Sequence, residues 1–111
     1  MILHLGGEFC CFFEDVLFVL RADGCEKNEQ TQRFLQAAED NGTLIVIDPT
    51  LVKSYVVTST PQENERVYAS PISAATLQKR AEKAAERLNE LYERDGKPGK
   101  QNFGRTGKPG V

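Results

Sequence analysis

The spacing of apolar residues changes along this chain, and each change marks an element. Met1 to Leu5 is a short apolar stretch closed by Gly6-Gly7, a turn signal. Phe9 to Phe13 and Val16 to Leu20 read as strands, with Glu14-Asp15 as a tight connection. "VLFVL" has no polar face, so it is expected to be covered on both sides, by a helix on one and another subunit on the other. Asp23 to Asn28 is polar, contains Gly24 and reads as a loop. Helical spacing begins near Asn28: Thr31, Phe34, Leu35 and Ala38 share one face, and Gly42 supplies a stop.

Strand character returns in Thr43 to Asp48, halted by Pro49, and in Lys53 to Ser59. Thr60 to Glu65 then joins this strand to Arg66–Ala69 as a hairpin with a loop longer than two residues. Ser70-Pro71 reads as a helix N-cap and first helical position, because serine accepts from free amides and proline has none to spare. From there Leu77, Ala81, Ala84, Leu88 and Leu91 form one stripe of a long helix ending at Asp95-Gly96. Residues 96–111, with "GKPG" twice, read as a disordered Gly/Pro/Lys tail. The expected fold is α+β: a small, curved, mainly antiparallel sheet with a middle helix and a long C-terminal helix.

Composition changes this picture little. The 111 residues have room for one domain, and no apolar run approaches the ~20 residues a membrane-spanning helix needs. The N-terminus lacks the basic start and apolar core of a secretory signal, so a cytoplasmic location is expected. Charge is distributed unevenly. Residues 1–60 hold four Lys/Arg against nine Asp/Glu, whereas residues 96–111 hold four cations and no acid. An acidic body with a basic tail implies that polyanions are attracted through particular patches only.

Candidate chemistry is sparse. His4 is the sole histidine, no Ser/His/Asp grouping or phosphate loop is visible, and Cys-x-x-Cys spacing is missing. No catalytic residues, cofactor, small-molecule substrate or metal are therefore expected, and the chain reads as a non-enzyme. Cys10, Cys11 and Cys25 read as buried or half-buried thiols, with redox sensing at Cys10-Cys11 the minor alternative. Cations that could meet a polyanion fall in two sets. Arg21, Lys53, Lys79 and Arg80 lie near strand ends and the last helix's start; Lys97, Lys100, Arg105 and Lys108 lie in the tail.

"MILHLGGEF", Lys53-Ser54-x-Val56-Val57-Thr58 and Ser70-Pro71-x-Ser73-x-x-Thr76-Leu77-x-x-Arg80 together resemble the bacterial extracellular-matrix regulator family, RemA/RemB-like, and its RemB-type branch more closely. The resemblance covers residues 1–83; 84–95 would be a helix extension. It implies a homo-oligomeric closed ring with a cytoplasmic role in transcriptional control of biofilm matrix genes, binding duplex DNA through arginines repeated around the ring. Those arginines align with Asp15, Leu51 and Val52, none of them basic, which leaves Lys53 as the neighbouring cation. An oligomeric protein-interaction module without direct DNA binding is the alternative expectation.

Overall fold

The computed structural model describes residues 1–94 and confirms the α+β class. The chain forms two compact units, residues 1–81 and the chain from residue 82 onward. The tail expectation falls on residues outside the described ones.

The first unit holds two sheets. β1 (Ile2–Gly6) and β2 (Phe9–Phe12) make an antiparallel hairpin. A 3-10 turn, Phe13–Asp15, leads to β3 (Val16–Arg21). The second sheet runs β3-β5-β6-β4, with β4 (Leu44–Val46), β5 (Ser54–Thr60) and β6 (Asn64–Ser70). Only the β4–β6 pairing is parallel, so the sheet is mainly antiparallel. The β5–β6 loop is longer than two residues, as expected: Thr60 pairs with Asn64, whose positive φ of 59° suits asparagine.

Alternation sorts the sheet's side chains onto two faces. On one, Val57, Val67, Leu44 and Tyr55 pack against Phe34, Leu35 and Ala38 of α2 (Glu29–Asp40). On the other, Val16, Val19, Val56, Tyr68 and Ile45 meet Leu3 and Leu5 of the hairpin and Leu77 of α3 (Ala74–Arg94). Of "VLFVL", Val16 and Val19 are thus met by the chain's own hairpin and Leu77 of α3. That cover is incomplete, for Leu17 and Phe18 remain 54% and 45% exposed; the stacking of β1–β2 as a separate layer is not revealed by apolarity alone.

Three expectations are corrected. Asp23 to Asn28 is not all loop, since Ala22–Cys25 forms a short helix, α1, whose Cys25 Sγ lies 3.1 Å from the Arg21 carbonyl. The Thr43–Asp48 strand pairs only over Leu44–Val46. The Ser70-Pro71 junction, finally, is built differently. Ser70 is the last residue of β6, fully buried; its hydroxyl donates to the Leu5 carbonyl and accepts from the Ile72 amide at 3.0 Å. Pro71 stacks on the hairpin turn so closely that a Cβ on Gly6 would sit 2.9 Å from the ring, and Gly6 has φ +119°. The N-cap role falls to Ser73, whose Oγ accepts from the Thr76 amide at 3.2 Å. A Ser-Pro before a helical stripe fits either arrangement; a buried carbonyl needing a donor decides for this one.

The cap of α2 matches its sequence signal. Asn28 accepts from the Thr31 amide at 3.0 Å, and Gly42 at φ +75° ends the helix. There the Thr43 and Gly42 amides return to the Ala38 and Glu39 carbonyls at 2.9 and 3.1 Å. α3 spans 21 residues. Its stripe is not uniform, for Leu77 is 1% exposed while Leu88 and Leu91 are 41% and 46% exposed. Among the described residues, no helix is long and apolar enough to cross a membrane.

The edges of the four-stranded sheet differ. β4 is three residues long, with Asp48-Pro49 following closely. β3 is six residues long, carries no charge before Arg21, and pairs on one side only. A bulge falls between Val16 and Phe18, and Leu17 and Phe18 are 54% and 45% exposed. Proteins usually blunt such an edge with charge, proline or cover.

Candidate nucleic-acid interface

The expected cations are only partly gathered. Arg21 ends β3, Lys53 precedes β5, and the antiparallel register makes Arg21 the partner of Ser54. The Ala22 amide donates to the Lys53 carbonyl at 3.0 Å, and the Lys53 amide to the Ser70 carbonyl at 2.8 Å, which locks this corner together. A cleft of about 580 Å³ opens here between Arg21 and Lys53 on the sheet side and Ser73, Ala74 and Ala75 at the start of α3. The first amides of a helix lack intrahelical partners and carry partial positive charge, so the corner presents two side-chain cations beside a positive helix end.

Acidic groups share the cleft. Asp23 and Glu26 line it, and Arg21 donates to Asp23 Oδ2 at 2.9 Å. That hydrogen bond holds the Asp23 carboxyl below its ordinary range and raises the Arg21 guanidinium. Both groups are solvated, so an incoming phosphate can replace the carboxylate partner. Among the described residues no ion-pair partner engages Lys53.

The other expected cations lie elsewhere. Arg80 reaches the hairpin, where Nη1 donates to the His4 carbonyl at 3.1 Å, and Lys79 does not line the cleft. Both were expected here because they follow the helix start in sequence. A helix rises about 1.5 Å per residue, however, so positions six and seven beyond Ser73 stand roughly 9–10 Å further along the axis than the start of α3. Lys97, Lys100, Arg105 and Lys108 lie outside the described residues. Of the positions where the resemblance would place arginines, Val52 lines the cleft and Leu51 is 44% exposed. Asp15 is at the opposite end of β3 from Arg21, roughly 20 Å away along the strand.

Asp15 instead borders a second groove of about 610 Å³, with Cys10, Cys11, Thr58, Arg66 and Tyr68. Arg66 is the residue that reading the sequence passed over. It pairs with Glu63 at 3.0 Å, and its inward side was signalled only by the two-residue step to Tyr68 on the same strand face. The thiols differ from one another. Cys25 is buried, Cys11 is half-buried, and Cys10 is exposed, correcting the expectation that all three are covered. Burial first, then the negative charges of Asp15 and Cys10, push the Cys11 thiol up to about 11, so it stays protonated at neutral pH. Among the described residues no three His, Cys, Asp or Glu side chains gather where they could hold a metal ion.

Among known proteins, no family model and no curated protein matches the chain.

Proposed function

We propose that this chain is the subunit of a homo-oligomeric DNA-binding regulator that assembles through the β3 edge and carries one phosphate-binding corner per copy. The observation behind it is the juxtaposition of Arg21 and Lys53 at the amide-rich start of α3. One such corner gives weak, salt-sensitive attraction to a phosphate backbone. Repetition in a closed ring multiplies it, because each further contact is made at high effective concentration. The apolar, one-sided β3 edge supports assembly. Resemblance to the RemA/RemB-like regulators, through Lys53–Thr58 and Ser70–Arg80, supports the finer reading: a cytoplasmic, ring-forming regulator of biofilm matrix genes.

Asp23 and Glu26 in the same cleft favour a second reading, an oligomeric protein-interaction module that does not touch DNA. Sedimentation of the full chain, together with duplex-DNA titration at two salt concentrations, separates the two. The first reading expects a multimer whose DNA affinity falls as salt rises, and falls again in Lys53→Ala. A multimer with no DNA binding at low salt leaves only the interaction module. A monomer at micromolar concentration defeats both.

A further inference from the structure

The hairpin β1–β2 is the outer layer of the fold, and its outward face carries chemistry that neither reading uses. Antiparallel register sets Ile2 opposite Phe12 and, at the next outward-facing pair, His4 opposite Cys10. Leu3 and Leu5 point into the core at 4% and 0% exposure, whereas Ile2 and Phe12 are 59% and 57% exposed and His4 and Cys10 are also exposed. Directly opposed side chains stand with Cβ atoms about 5 Å apart, within reach of a shared ligand. One side of the hairpin therefore presents an imidazole and a free thiol side by side, flanked by an apolar pair.

Imidazole nitrogen and thiolate sulfur are the donors that borderline-soft divalent cations such as zinc prefer, in tetrahedral sets of four. One chain supplies half a set. The same face of a second copy, related by a two-fold axis, supplies the other half, because a two-fold contact brings identical patches together. Charge points to the same occupant: two Cys10 thiolates neutralise a dication, while the Ile2 and Phe12 side chains of both copies cover the neutral centre. An arrangement with one thiolate would leave net charge beside that apolar pair.

We propose that His4 and Cys10 form half of a thiophilic metal site, which two copies of this chain complete as a Cys2His2 centre. Each Cys10 thiol loses its proton to solvent as its sulfur binds; no electron is transferred, and the cation remains divalent. This contact uses a face distinct from the β3 edge, and so adds to the assembly proposed above.

The test is a Co2+ titration of the full-length chain under reducing, oxygen-free conditions. A sulfur-to-cobalt charge-transfer band with intense tetrahedral visible absorption is expected, saturating at one ion per two chains and erased by Zn2+. Cys10→Ser abolishes the charge-transfer band and His4→Ala weakens binding. Cys11→Ser, altering the neighbouring thiol on the inward face, retains the band. Its absence in the native chain, its survival in Cys10→Ser, or saturation at one ion per chain overturns the proposal. Sedimentation of metal-free protein is run in parallel. A multimer that forms without metal and gives no cobalt spectrum sinks the metal centre alone, leaving the β3 assembly standing.

Discussion

The two faces of the four-stranded sheet and its β3 edge meet opposite fates within one chain. Over the central strands each face is sealed, one by α2 and the other by the β1–β2 hairpin with α3, so that Val56, Val57 and Val67 are at most 1% exposed. Among the described residues no strand pairs with the outer side of β3 over its six residues, and Leu17 and Phe18 are about half exposed. Faces are closed by apolar side chains, whose burial is nondirectional and can be met by any element nearby. An edge needs backbone donors and acceptors at fixed spacing, which only another strand provides. Among the described residues no further strand lies beside β3, for β1 and β2 pair with each other in the hairpin. The chain is thus closed more completely around its core than along this edge, and the assembly proposed above uses that edge.

Sealing and edge are separable by mutation. Leu77→Ala, which hollows the hairpin-side core, should cost about 2–5 kcal/mol in denaturant unfolding, since it deletes a side chain 1% exposed. A loss under about 1 kcal/mol would mean that α3 does not seal that face. Ser70→Ala comes next. It strips the Leu5 carbonyl of its donor and the Ile72 amide of its acceptor, for an expected cost of about 1–3 kcal/mol by the same measurement. The smallest effect on stability, within about 0.5 kcal/mol, is expected for Leu17→Lys on the β3 edge. That variant should nonetheless shift the sedimenting species toward monomer, because charge on an edge opposes strand pairing. Undiminished assembly would show that copies meet elsewhere.

The corner that gathers Arg21 and Lys53 was half legible. Both cations flank strands, so a place at a strand end follows from local pattern, but their adjacency depends on the β3–β5 register. Lys79 and Arg80 show the limit of that reasoning. They follow Ser73 within two turns, and the rise of the helix carries them from the cleft, Arg80 to the His4 carbonyl. The thiols teach the same lesson. Cys10 and Cys11 are consecutive in an apolar run, yet strand alternation sends one outward and the other inward, where burial pushes its thiol up to about 11.

By itself the sequence determined the α+β class, the α2 boundaries at Asn28 and Gly42, and the six strands in chain order. These depend on periodicity, capping and turn chemistry, which act over a few residues. Only the tertiary structure decided that the hairpin roofs the sheet, that Ser70 serves the Leu5 carbonyl while Ser73 caps α3, and which charges share a cleft. Each of these joins residues far apart in the chain, and a local pattern holds no information about which distant group will need a partner. Burial raises that need, and burial is a property of the assembled layers.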